Sequence, residues 1–218
     1  MLTAEEVYGT LMGAPSASSC DAFDRHAVAA IVSLALAEAE AAGMPPCAGL
    51  GLGRADLLAL AEELFPERVG LLGTLVPAGE VEVDEEERNV RDILSLYASG
   101  AGRIQRALIA LIARRVRAPH HLWQDLGLRN RGELSELMGR HFAPLARKNS
   151  HDMKWKKFLY RMVCGTEGFT LCTAPVCSDC EDFANCFGAE DGESRLAVAR
   201  NGGSAAAPAP AAIHAPDR

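Results

Sequence analysis

Four of the chain's seven cysteines fall within fifteen consecutive positions, "CTAPVCSDCEDFANC" at residues 172–186, with the spacing C-x4-C-x2-C-x5-C. The central pair, Cys177 and Cys180, can point both sulfurs at one metal or one cluster edge. Cys172 and Cys186 can close the other side, and Pro175 stiffens the approach. So short a run leaves no room for four buried thiols with separate structural jobs. The spacing therefore predicts an irregular, ligand-holding loop. Four thiolates can bind structural zinc tetrahedrally, or they can hold an iron–sulfur cluster, for which short uneven spacings are usual. Zinc sites mostly draw on two C-x2-C-like pairs from separate knuckles, and only one such pair is present, so the spacing favours a cluster. The loop's own charges, Asp179, Glu181 and Asp182, are acidic. A net-negative cluster would want cations nearby, and Lys154, Lys157 and Arg161 in the preceding segment can supply them.

The remainder reads as helices. Aromatic residues make up 6% of the chain and alanine is abundant, which suits closely packed helices better than a β sandwich. "SSCDAFDRHAVAAIVSLALAEAEAAG" predicts a long helix capped at Asp21 or Asp24 and ended by Gly43, before Pro45 and Pro46. A shorter helix spans about 55–65 and stops at Pro66. The preceding "GLGLG" follows no strand, so it reads as a turn rather than a dinucleotide loop. Residues 70–82, with glycine, proline and alternating valines, predict a loop. "VDEEERNVRDILSLYASG" begins a helix with acids in its first turn, where they favour the dipole. "AGRIQRALIALIARRVRAP" continues the helical pattern to Pro119. A short helix then leads to a turn at Gly127 and a second helix capped by Asn130, with Glu133 in the capping-box position. "SHDMKWKKFLYRMVCG" is amphipathic, with Trp155, Phe158, Leu159 and Met162 on one face, and Gly165 is its expected end. The expected architecture is mainly α: one helical domain over residues 1–195, carrying an irregular cysteine-rich cluster-binding loop at 172–186. A disordered Ala/Pro-rich tail follows at 196–218.

The net charge of −7 conceals an asymmetry. Residues 1–100 carry 5 basic and 17 acidic side chains, residues 101–161 carry 14 and 4, and residues 162–218 carry 3 and 8. The basic middle points to an anionic partner or ligand, or to a complement for the acidic N-terminal part. No stretch approaches the roughly 20 apolar residues that span a bilayer. The first residues lack a basic region followed by an apolar run, so no signal peptide and a cytoplasmic location are expected. In that compartment clustered thiols bind metal or do redox chemistry rather than form disulfides. No Walker or Rossmann loop and no nucleophile–base pair is evident, so no enzymatic turnover is expected.

Other candidates have simpler readings. Cys164 could be a further ligand but reads more simply as a small buried hydrophobe, and Cys20 and Cys47 are isolated. His120, His121 and His141 could ligate metal or touch an oxyanion, although histidines near helix ends commonly cap or hydrogen-bond. Arg147, Lys148, Lys154, Lys156 and Lys157 could form an oxyanion site or a solvated docking face. Trp123 and Trp155 read as core anchors.

"HHLWQDLGLRNRGELSELMGRHFAPLARKN", "MKWKKFLYRMVC" and "LCTAPVCSDCEDFANCFG" together resemble the NifQ family of nitrogen-fixation proteins. The likeness is densest over residues 119–188 and looser upstream. It implies a protein that takes part in making the iron–molybdenum cofactor of nitrogenase and carries a molybdenum–iron–sulfur cluster, with molybdate as the metal source. The implied ligands are Cys172, Cys177, Cys180 and Cys186. The implied partners are the NifEN scaffold and the nitrogenase iron protein, with no nucleic acid and no membrane. Soft thiolates suit iron and reduced molybdenum. Rival readings remain. An iron–sulfur-sensing DNA-binding regulator would use residues 122–141 as a helix-turn-helix, against which Glu133 and Glu136 make a poor groove face. A structural zinc module would use the same four cysteines. A base-excision glycosylase shares the C-x2-C-x5-C ending, but its first gap is longer and its loop is basic.

Overall fold

Alanine at every turn of residues 22–41 lets neighbouring helices approach from all sides, and this segment is the axis of the molecule. In the computed structural model it forms α2 (Ala22–Ala41), buried almost continuously from Arg25 to Leu36. A helix apolar all round belongs inside a bundle. Asp21 caps it, accepting from the Phe23 amide at 2.8 Å, and Gly43 ends it with φ +65. The structure describes residues 3–13, 21–167, 186, 190 and 192–200.

Before α2, α1 (Ala4–Met12) starts with a Thr3–Glu6 capping box and buries Val7 and Leu11 against it. The short α3 (Pro46–Leu50) crosses α2 so closely that a Cβ on Gly49 would lie 2.6 Å from that of Ala39. Then come α4 (Arg54–Leu64), a 3-10 turn (Pro66–Arg68) and α5 (Val69–Leu75). The expected loop at 70–82 is corrected over its first part, since residues 70–75 are helical. Arg54 explains why: its Nε and Nη2 donate to the carbonyls of Val76 and Gly73, both at 3.0 Å, capping the end of a helix weak in intrinsic propensity. Leu72 provides its buried anchor.

Two further helices, α6 (Glu85–Leu96) and α7 (Arg103–Val116), pack on one another. Asp84 caps α6 by accepting from Glu87 N at 2.9 Å. The charge asymmetry is resolved largely here. Fully buried Glu87 meets Arg91 at 2.6 Å and Arg114 at 2.8 Å, Asp84 meets Arg117 at 2.7 Å, and Glu38 meets Arg115 at 2.5 Å. Arg114, Arg115 and Arg117 of the middle thus complement the acidic N-terminal part.

The chain continues through α8 (Leu122–Asp125), α9 (Arg131–His141), α10 (Ala143–Lys148) and α11 (Trp155–Glu167), and returns as α12 (Arg195–Arg200). No strand occurs among the described residues. Gly165 does not end α11, which runs to Glu167; a single helix-interior glycine costs about 1 kcal/mol and is readily tolerated. The tail boundary at 196 also needs correction. Residues 195–200 form α12, packed against α1, α2 and α8 with Leu196 on the core, while 201–218 lie outside the described residues.

Candidate functional site

The turn "LWQDLGL" puts one carboxylate among apolar neighbours. Leu122, Trp123, Leu126 and Leu128 are all buried, and Asp125 between them is 0% exposed. A buried charge survives only if it is fully partnered. Asp125 Oδ2 accepts the His120 amide at 3.1 Å and the Lys156 ammonium of α11. Its Oδ1 accepts from His120 Nδ1 at 3.1 Å and from Arg195 of α12 at 3.2 Å. Its backbone carbonyl takes Arg115 Nε of α7 at 2.6 Å. One residue thereby ties together α7, α8, α11 and α12. Gly127 makes the turn possible: its φ is +70, and a Cβ there would sit 2.9 Å from the Ala30 carbonyl of α2. Burial pulls the Lys156 pKa below its usual value; Asp125 opposes the shift, and Arg115 and Arg195 reinforce it.

The same region grips the chain downstream of the cysteine loop. The Lys154 amide, at the N-terminus of α11, donates to the Cys186 carbonyl at 2.8 Å. Glu190 pairs with Arg131 at 2.5 Å and His121 at 3.4 Å, and Arg131 continues to Asp152 at 2.7 Å. Burial lowers the His121 pKa, with Glu190 opposing and Lys154 and Lys156 adding to the drop. Gln124 Nε2 donates to the Glu193 carbonyl at 3.0 Å, and Arg195 reaches Glu38 at 2.5 Å.

Of the four expected ligands, Cys172, Cys177 and Cys180 lie outside the described residues. Cys186 is half-buried, its backbone carbonyl held at the amino end of α11. The chain leaves α11 at Glu167 and re-enters beside Lys154, at opposite ends of a helix about 20 Å long. Residues 168–185 connect those two points. Cys164 is within α11. Cys47 is buried and donates weakly to the Pro77 carbonyl.

The three candidate histidines each meet a carboxylate: His120 meets Asp125, His121 meets Glu190, and His141 meets Asp24 at 3.1 Å. No group of three or more metal-ligating side chains occurs among the described residues. The five basic candidates do not converge. Lys156 turns inward, Lys148 lies over the Tyr97 ring, and Arg147 and Lys157 are exposed. Trp123 and Trp155 are core residues. Sequence reasoning overlooked Asp125, although an acid inside an apolar run was the available signal. It also overlooked His26, which bridges Tyr8 at 2.8 Å and Glu133 at 3.1 Å, tying α1 and α2 to α9.

Comparison with known proteins gives a consistent picture. The family model described as NifQ matches residues 27–188, a span that holds the Asp125 turn, α11 and all four clustered cysteines. A NifQ homolog from Sinorhizobium fredii is 36% identical over 84% of this chain and 80% of its own length. The NifQ proteins of Rhodobacter capsulatus and Azotobacter vinelandii are 40% and 32% identical, covering 67% and 65% of this chain and 81% and 78% of their own lengths. No solved structure matches. With its motifs inside the matched span and such relatives along most of its length, the chain belongs to the NifQ family.

Proposed function

We propose that this protein is a molybdenum carrier for assembly of the nitrogenase iron–molybdenum cofactor, a donor rather than an enzyme. Membership in the NifQ family, and with it a role in nitrogen fixation, supports the setting. The cargo is an iron–sulfur cluster containing molybdenum, built from molybdate and held by Cys172, Cys177, Cys180 and Cys186. The cargo passes to the NifEN scaffold with the nitrogenase iron protein, in the cytoplasm. No helix among the described residues is long and apolar enough to cross a membrane.

The observation that carries this reading is the intact C-x4-C-x2-C-x5-C run inside the family-matched span, its last member seated at the amino end of α11. Thiolate softness suits iron and reduced molybdenum, and a loop held at its stem can let cargo leave without opening the core. The test is metal analysis and absorbance of anaerobically purified protein, wild type against Cys177→Ala and Cys180→Ala. The expected result is brown wild-type protein with iron and molybdenum, and colourless variants of unchanged helicity. Wild-type protein that is colourless and holds only zinc would support the structural zinc module instead. Retention of molybdenum in both variants would refute the ligand assignment.

A further inference from the structure

The peptide unit between Met153 and Lys154, at the entry to α11, is gripped at both ends. Its oxygen, the Met153 carbonyl, accepts from Arg131 Nη2 at 3.1 Å and from Asn149 Nδ2 at 2.9 Å. Its N–H, that of Lys154, donates to the Cys186 carbonyl at 2.8 Å. A peptide is planar, so fixing its oxygen fixes the direction in which its N–H points. Bonds at the two ends also polarise the same unit and strengthen one another. Arg131 holds more than this one oxygen. Its Nη2 donates to the Asp152 carbonyl at 2.9 Å and carboxylate at 2.7 Å, and its Nη1 reaches Glu190 Oε2 at 2.5 Å. Glu190 lies four residues after Cys186 and its side chain is 4% exposed, so its charge cannot leave the guanidinium without a large penalty. Cys186 is therefore tied at its own carbonyl and again at Glu190, and both ties lead to Arg131.

The turn before α11 is strained to suit. Asp152 has φ +52, and no other non-glycine residue among those described has a positive φ. A left-handed backbone is disfavoured for a residue with a Cβ and persists where surrounding contacts over-determine it. They do so at Asp152: Arg131 bonds its carbonyl and its carboxylate, its amide donates to the Asn149 carbonyl at 3.0 Å, and Asn149 Oδ1 accepts the next amide, of Met153, at 2.9 Å. The strained turn aims the Met153–Lys154 peptide at Cys186.

We propose that Arg131 is a positioning residue for Cys186, holding this cysteine in place whether or not cargo is bound. The proposal rests on the reading of Cys186 as a cluster ligand and adds what governs its hold. A ligand already fixed in position recaptures the cluster after a bond breaks, whereas one free to swing away lets it go. Arg131 thereby slows the departure of cargo. The role calls for a fork. Lysine would keep the charge but offer a single point, which cannot serve Glu190 and the carbonyls of the turn together.

Two measurements on the full chain test this. The first needs no cargo: in a Cys172→Ser/Cys177→Ser/Cys180→Ser background, alkylation of Cys186 by iodoacetamide is followed by peptide mass spectrometry. Arg131→Gln should speed alkylation by about tenfold, the weight of a lost charge-assisted hydrogen bond, and Arg131→Lys should not restore the original rate. The second follows the transfer of iron from anaerobically loaded protein to the chelator bathophenanthroline, which both substitutions should quicken. Leu11→Ala, a core truncation in α1 outside this network, separates positioning from general stability: it should lower the melting temperature and leave both rates as they were. Should Arg131→Gln lose helicity by circular dichroism, Glu190→Gln, which weakens the second tie alone, decides by the same rates. An unchanged alkylation rate overturns the proposal, as does equal acceleration by Leu11→Ala or full rescue by Arg131→Lys. Wild-type protein devoid of iron and molybdenum would remove the carrier reading, and the alkylation rates would still decide whether Arg131 holds Cys186.

Discussion

Replacing Asp125 with Asn is the most discriminating single perturbation of this fold. The substitution keeps shape and volume and removes one charge. What it strands can be read off directly: Lys156 loses its counterion, Arg195 is left with Glu38, and the new amide NH2, a donor, must face two of the four donors that Asp125 now accepts. Asp125 is 0% exposed, so solvent cannot take over these roles. Removing one partner of a buried ion pair costs about 3–5 kcal/mol, a large share of the roughly 5–15 kcal/mol that holds a typical domain together. At about 2–4 °C per kcal/mol for a chain of this length, the melting temperature should fall by roughly 6–20 °C. Thermal denaturation followed by circular dichroism measures this, with Asp152→Asn as control. Asp152 also pairs with an arginine, but its side chain is 77% exposed, and a surface pair is worth at most about 1 kcal/mol. If Asp125→Asn proves as mild as Asp152→Asn, then Asp125 is not the tie between the helices, and the account of the site's stem fails with it.

Gly127→Ala should cost about 1–3 kcal/mol, because φ is +70 and the added Cβ would press on the Ala30 carbonyl at 2.9 Å; a urea midpoint equal to wild type would refute the tight seating of the turn on α2. Tyr160 is a pH prediction. Burial first, then its hydrogen bond to Glu86 at 2.5 Å, lifts the phenol above its ordinary value of 10.0. A raised folded-state pKa contributes stability that is complete below pH 10.0 and is lost as pH climbs through the raised value. Urea unfolding across the alkaline range should therefore show a decline that Tyr160→Phe reduces, and identical slopes in both proteins would contradict it.

The helices were legible wherever local chemistry and tertiary demand agree. Asp21 and Gly43 bracket α2 as their residue types predict, Asp84 caps α6, and Asn130 accepts from Glu133 N at 3.1 Å. The capping box at that last site is only half made, because the Glu133 carboxylate goes to His26 and the Arg129 amide instead. A distant partner outcompeted a local one, which no reading of neighbouring residues reveals. The same cause hid α5, whose stability comes from Arg54 some twenty residues earlier, and α12, which forms because Arg195 finds Glu38 and Asp125. At the candidate site the cysteine spacing was the legible part. The Asp125 network was not, since its members come from five separate stretches of chain. The basic middle was ambiguous by nature: charge composition states an excess but not where each side chain will be spent.

That distinction bears on how a carrier can work. In small zinc modules the metal supplies the folding energy, so losing it unfolds the chain. Here the described helices bury a continuous apolar core around α2, and the flank of the cysteine loop is anchored by Lys154, Gln124, Arg131 and Asp125 rather than by thiolates. The described helices thus hold together through packing and ion pairs of their own. Under the proposed function, loading and emptying the loop become binding events on a preformed stem, and the affinity of the thiolates can be set for transfer without reference to folding. On that same proposal, a partner offering a stronger sulfur ligand set has to outcompete four thiolates and does not have to unfold the protein that brought them.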